Sequence, residues 1–312
     1  MATNIWFWVI FNVFVLAMLA LDLGVFHRTD HAVGMKEASI WTVVWISLAL
    51  IFNAGIYFFA GPEPALQFLT GYLIEKSLSV DNIFVFVMLF SYFNVPVVYQ
   101  HRVLFWGILG ALLMRGALIG VGAFLISQFH WVIYIFGAFL VFTGIRMGVQ
   151  KEETVEVESN SVVKLLRRFM PVTQQYRGHS FFVRESGRLF ATPLFVVLLI
   201  VETTDLIFAL DSIPAIFAVT TDPFLVYTSN VFAILGLRSL YFLLADVVTK
   251  FRFLKIGLSV ILVFVGVKML IVDIYHIPIV LSLGVIASVL VISIIASWIF
   301  PEAAETEIDS PV

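Results

Sequence analysis

The chain has 312 residues, 61% of them apolar and only 12% charged, with a mean hydropathy of +1.05. A soluble domain of this length runs nearer a quarter charged, so the composition excludes a water-covered globule and makes the bilayer the solvent. The net charge of −3 excludes a basic nucleic-acid footprint, and the absence of cysteine excludes disulfides, thiolate metal sites and thiol nucleophiles.

Crossing roughly 30 Å of hydrocarbon takes about 20 apolar residues. Nine stretches qualify: 5–26, 39–60, 65–90, 102–126, 130–149, 190–218, 226–249, 255–273 and 278–299. The fold class expected is therefore an all-α integral membrane protein forming a single membrane domain over 1–312. No positively charged region precedes the first stretch, so it is expected to be a retained span and not a cleaved signal. Asp22 closes span one, and Asn12 and Asn53 lie inside spans one and two. Each could line a path, and each could equally make a helix-packing hydrogen bond, the commoner use of a lone polar residue.

Span three carries the polar run Glu75-Lys-Ser-Leu-Ser-Val-Asp-Asn82, in which Glu75, Asp81 and Asn82 are candidate oxygen ligands. Span four carries Arg115 among glycines (Gly107, Gly110, Gly116, Gly120, Gly122) that suit close helix packing. The stretch 150–189 begins acidic and turns basic near Lys164 and Arg168. It reads as a solvated connector with a short amphipathic helix on the inner leaflet, the alternative being a regulatory element. Span six holds Glu202, Asp205, Asp211, Ser212 and Pro214; span seven holds Arg238, with Asp246 near its end beside Lys250; span eight holds Lys268.

Fourteen of the eighteen Lys and Arg residues fall in connections on one side: after spans one, three, five and seven. The positive-inside rule then places the N-terminus outside and the acidic tail inside. The four others, Lys76, Arg115, Arg238 and Lys268, lie within spans. Trp6, Trp8, Trp41, Trp131 and Trp298 near span ends fit an interfacial aromatic belt.

Spans three to five (65–149) resemble spans six to eight (190–273), leaving 5–26, 39–60 and 278–299 outside the repeat. Val141-Phe-Thr-Gly-Ile-Arg-Met147 matches Val263-Phe-Val-Gly-Val-Lys-Met269, Arg115 answers Arg238, and Asp81-Asn-Ile-Phe84 answers Asp205-Leu-Ile-Phe208. The copies would have opposite orientation, a recurrent plan of transporters with a midplane substrate site.

A charged acid at mid-membrane costs roughly 2.5–3.5 kcal/mol, so Glu75, Asp81, Glu202, Asp205 and Asp211 unrelieved would cost on the order of 12–18 kcal/mol. They must be protonated, paired, hydrated or bound to a cation. Arg115 and Arg238 are plausible ion-pair partners. On an unbroken helix Glu202 and Asp205 share a face while Asp211 lies nearly opposite Glu202. Pro214 removes a donor, and a break between Asp205 and Pro214 would bring their oxygens together. The oxygen-only donor set, with histidines confined to loops and span ends, suits Mg²⁺, Ca²⁺ or Mn²⁺.

The two acidic segments, Glu75 to Phe84 and Glu202-Thr-Thr-Asp-Leu-Ile-Phe-Ala-Leu-Asp-Ser-Ile-Pro214, resemble signatures of the TerC family, and the likeness extends over nearly the whole chain, including Met170-Pro-Val-Thr173. It is most similar to the family's Alx branch of bacterial inner-membrane proteins. The resemblance implies Mn²⁺ export, an association with alkaline pH, and Glu75, Asp81, Glu202, Asp205 and Asp211 as the functional acids. No enzymatic activity and no resident cofactor are expected; the partners are a divalent cation as cargo, the lipid bilayer, and membrane or secreted proteins of unstated identity. A membrane scaffold delivering metal and an intramembrane enzyme with two catalytic carboxylates are the competing readings. An aspartyl site needs two acids and not five, which favours metal.

Overall fold

The structure is a computed structural model that describes residues 5–21, 34–149, 164, 166, 168, 170–185, 187–245 and 253–300; the side chains of Leu21 and Asp81 fall outside that description. Asp22, Asp246 and the acidic tail lie outside the described residues.

Every expected span coincides with a helix: α1 (Ile5–Leu21), α2 (Met35–Ala60), α3 (Pro62–Tyr92), α4 (Val97–Gln128), α5 (Val132–Val149), α6 (Pro193–Phe217), α7 (Pro223–Leu235) with α8 (Leu237–Leu244), α9 (Leu254–Leu270) and α10 (Ile279–Ile299). Among the described residues, α2, α4, α5, α6, the α7–α8 rod and α10 are the six segments long and apolar enough to cross a membrane. α1 and α9 are 17 residues each, about 25 Å of rise. α3 has the length, 31 residues, but carries Glu63, Glu75, Lys76 and Asp81.

The packing inverts that of a soluble protein. Phe58, Phe59, Leu113 and Trp298 face outward, whereas Glu75, Arg115, Asn230 and Asp205 are buried. With lipid outside, polar groups gain only by meeting one another inside. Hydroxyls that find no such partner bond back to their own helix, as Thr203 and Thr204 do to the carbonyls of Leu199 and Ile200.

Four helices, α3, α4, α6 and α7, pack around the bundle centre. α1 and α2 dock on them through aromatic contacts, with Phe11 of α1 5.6 Å and Phe52 of α2 5.0 Å from Phe232. α5 and α9 pair most closely, and antiparallel, because glycines remove the side chains between them. A methyl group at Gly137 would stand 2.9 Å from the Gly266 carbonyl oxygen, and one at Gly144 would stand 3.0 Å from the Ser259 carbonyl oxygen. The Ser259 hydroxyl donates to the Gly144 carbonyl at 2.6 Å.

Two expectations need correction. α6 is not broken between Asp205 and Pro214: it runs unbroken from Pro193 to Phe217, although Pro214, near its end, leaves the Leu210 carbonyl without its helical donor. The interruption falls instead at Gly236, which parts α7 from α8. The connector is also more than a solvated segment. Lys164, Leu166 and Arg168 are helical, as expected of the short amphipathic helix, but β1 (Phe182–Glu185) and β2 (Arg188–Ala191) then form an antiparallel hairpin. Leu166, Val172, Tyr176 and Phe181 pack against the cluster built by the near ends of α3, α4, α6 and α8. Tyr176 donates to the Phe93 carbonyl at 2.8 Å, and Arg102 lies 5.5 Å over the Phe181 ring. Burial pushes the Tyr176 hydroxyl up to about 12.

Candidate functional site

Arg115, on α4, is the largest fully buried side chain among the described residues and lies 1% exposed between α3, α6 and α7. Its Nε and Nη2 donate to the two carboxylate oxygens of Asp205 at 3.0 and 2.9 Å, the bidentate fork that guanidinium geometry favours. Its Nη1 donates to Glu75 Oε1 and reaches Ser212 Oγ and the Asn230 Oδ1 oxygen, each at 3.4 Å. Asn230 closes the ring by donating from Nδ2 to Glu75 Oε2 at 3.0 Å, and Asn82 donates from Nδ2 to Asp205 Oδ1 at 3.3 Å.

Each contributor reaches the centre for a helical reason. Glu75 and Asn82 are seven apart on α3, two turns and therefore the same face, as are Asp205 and Ser212 on α6. Within hydrogen-bonding distance, two carboxylates share one guanidinium. Oxygen is left over: Asn82 Oδ1, Ser79 Oγ and Glu202 Oε2 are buried without a hydrogen-bond partner. Such acceptors cost about 1–3 kcal/mol each when they stay unsatisfied.

Glu202 precedes Asp205 by three residues and lies against α4 where Gly110 leaves room; a methyl group at Gly110 would overlap its carboxylate. Asp211 does not join the centre. With α6 unbroken it faces α5, where it meets the Thr143 hydroxyl and the charge of Arg146. Asp81 lies on α3 with its side chain outside the description, and Asp22 lies outside it altogether. Arg238 lines a small cavity with Asp205, Gly107 and Ala111 on the hairpin side of the centre. Among the described residues no three His, Cys, Asp or Glu side chains converge as a ready-made metal cage.

Asn12 makes the packing bonds expected of a lone polar residue, donating to the Trp8 carbonyl at 2.9 Å and accepting from the Tyr227 hydroxyl at 2.8 Å. Sequence reading did not single out Asn230, although an asparagine inside an apolar span is the kind of signal that marked Asn12. Lys76, next to Glu75, points elsewhere and donates to the Ala233 carbonyl at 3.3 Å.

A separate polar group stands at the end of the bundle away from the hairpin. Asp273, just past α9, accepts from Tyr134 and contacts His130 Nε2 at 3.0 Å; the Tyr134 hydroxyl foremost, then His130, holds its carboxyl below the ordinary value.

The profile described as "Integral membrane protein TerC family" matches residues 60–305. The chain is 57% identical over 305 residues to the uncharacterized membrane protein STKORF319 of Myxococcus xanthus, covering 97% of this chain and 96% of that one. It is 54% identical over 303 residues to proteins of Shigella flexneri and Escherichia coli (strain K12) that carry the name "Putative membrane-bound redox modulator Alx", covering 94% of each chain. No solved structure matches it.

Proposed function

This chain belongs to the TerC family of integral membrane proteins, and on that premise we propose that it is a divalent-cation transporter that exports Mn²⁺ across the bacterial inner membrane. The observation that carries the reading is the buried centre in which Glu75 and Asp205 share the single guanidinium of Arg115 while oxygens of Asn82 and Glu202 stay unbonded. A carboxylate charge unbalanced at mid-membrane would cost on the order of 2.5–3.5 kcal/mol, and a dehydrated cation would relieve it. The donors are carboxylate, amide and hydroxyl oxygens, which suit hard and borderline divalent ions. They do not separate Mn²⁺ from Mg²⁺ or Ca²⁺; the resemblance to the family's Mn²⁺ exporters makes that selection.

Arg115 holds the two acids while no ion is bound, and the ion exchanges with its guanidinium. Proton uptake by the same acids then couples efflux to protons and links transport to alkaline pH. Alternating access follows from an inverted repeat of 65–149 on 190–273. The α5–α9 contact supports it: the shift that carries Gly144 onto Gly266 also carries Gly137 onto Ser259, so the contacts Gly137–Gly266 and Gly144–Ser259 are one contact seen twice. The hairpin end faces the cytoplasm with the C-terminus, and the N-terminus faces the periplasm, as the lysines and arginines require. In this reading the chain is not an enzyme. Asp211 and Asp81 act as secondary ligands that the helices bring in when they move.

The name of the Shigella flexneri and Escherichia coli relatives favours a second reading, redox modulation. Without cysteine the chain has no thiol of its own to exchange, so that role would run through the metal it moves. The deciding experiment is Mn²⁺ flux in proteoliposomes for the native chain beside Glu75→Gln and Asp205→Asn. Flux in the native chain that is lost in both variants supports the reading. Equal background flux in all three discards it and puts the scaffold reading first.

A further inference from the structure

At the end of the bundle away from the hairpin, a cleft of about 420 Å³ opens between the ends of α3, α6, α7 and α9. At about 30 Å³ per water it has room for on the order of ten waters, enough for an ion with part of its hydration shell. Glu63 and Asp222 stand on its wall, as does Lys268, and Gln67 and Thr220 form part of its lining.

Gln67 and Thr220 join across the cleft: the Thr220 hydroxyl donates to Gln67 Oε1 at 2.8 Å. Gln67, Gly71 and Glu75 follow at four-residue intervals on α3, so they stack on one face over about 12 Å. Across from them, Thr220, Ile216 and Ser212 follow at the same interval along the end of α6. The layer between cleft and centre is tight: a methyl group at Gly71 would lie 2.9 Å from Ser229 Oγ and 3.1 Å from Ile216 Cγ2. Below it, Glu75 and Ser212 both meet Arg115.

We propose that this cleft is the mouth of the route by which a divalent cation reaches or leaves the Glu75–Arg115–Asp205 centre, closed here by two layers: the Gln67–Thr220 hydrogen bond and the Gly71–Ile216–Ser229 contact. The carboxylates of Glu63 and Asp222 gather cations at the entrance. The layer beneath needs no polar group to stay shut, because a glycine facing an isoleucine leaves no room for water. Opening requires α3 and α6 to part by about the width of a water, and the hydrogen bond between Gln67 and Thr220 opposes it. The inference deepens the transport reading and depends on it for the identity of the ion, but not for the existence of the route.

The chain has no cysteine, so single introduced thiols report on it without background. In proteoliposomes, Thr221→Cys in the cleft should react quickly with a small water-soluble methanethiosulfonate reagent, and Ser229→Cys, a near-isosteric change in the second layer, should react at least ten-fold more slowly. Adding Gln67→Ala to Ser229→Cys should raise its rate at least ten-fold, and adding Thr220→Val should do the same from the other helix. The rate of Ser259→Cys, buried between α5 and α9, should not change with either latch variant. The proposal is overturned if Thr221→Cys is unreactive, if Ser229→Cys reacts as fast as Thr221→Cys with both latch residues intact, or if neither latch variant accelerates it. Labelling that follows the expected pattern in vesicles that move no cation would keep the route and remove the transport reading.

Discussion

Replacing Arg115 by methionine keeps a long flexible side chain and removes the guanidinium on which the centre depends. Two carboxylates, Glu75 at 1% and Asp205 at 4% exposure, would then stand buried with no cation between them. Removing one partner of a buried ion pair costs about 3–5 kcal/mol, mainly through the charge left behind. Here two acids lose their partner at once, and a proton taken up by either limits the loss to about the same range. Arg115→Met is therefore expected to lower stability by about 3–5 kcal/mol in an SDS-unfolding titration of the detergent-solubilised protein at pH 7. Arg115→Lys should recover only part of this, because an ammonium keeps the charge but not the two-pronged contact with Asp205. Adding Glu75→Gln and Asp205→Asn to Arg115→Met should regain most of the loss. A single Arg115→Met variant within about 1 kcal/mol of the native chain would refute the reasoning, as would a triple variant no more stable than the single one.

Gly110→Ala places a methyl group against the Glu202 carboxylate; it should cut Mn²⁺ flux at least ten-fold in vesicles while the melting temperature in detergent falls only a few degrees. Gly144→Val forces α5 from α9 and should cost about 1–3 kcal/mol in the same SDS titration, the usual range for overpacking. Tyr176 titrates at about 12 in the folded chain against about 10 when unfolded. The folded state therefore holds the proton longer, so its stability is unaffected below pH 10 and falls as pH rises from about 10 to about 12. Hydrogen exchange of residues 182–191 should show the hairpin loosening over that window. Tyr176→Phe should lose about 1 kcal/mol below it and flatten the alkaline limb.

The positions of the helices were legible in the sequence because lipid imposes one rule on every span: about 20 residues whose side chains tolerate hydrocarbon. The acids of the centre were legible for the converse reason, since Glu75 and Asp205 violate that rule at a cost that has to be met. The family signatures pointed at the same residues. The hairpin at 182–191 was not legible. Its strands are four residues each, and the apolar side chains beside it, Tyr176 and Phe181, gain their burial only from helices far away in sequence.

By itself, then, the amino-acid order determined what must be buried: which segments enter the membrane and which charges go with them. Only the tertiary structure decided who meets whom. It gave Arg115 to Glu75 and Asp205, brought Asn230 to complete the ring, and turned Asp211 towards Thr143 and Arg146. Helical periodicity fixes a side chain's angle about its own axis. How four helices are rotated against one another depends on packing between residues far apart in the chain, such as Gly110 against Glu202 and Gly71 against Ile216. An unbroken α6 kept Asp205 and Asp211 on different faces, and no spacing rule within that helix could say which face the centre would use.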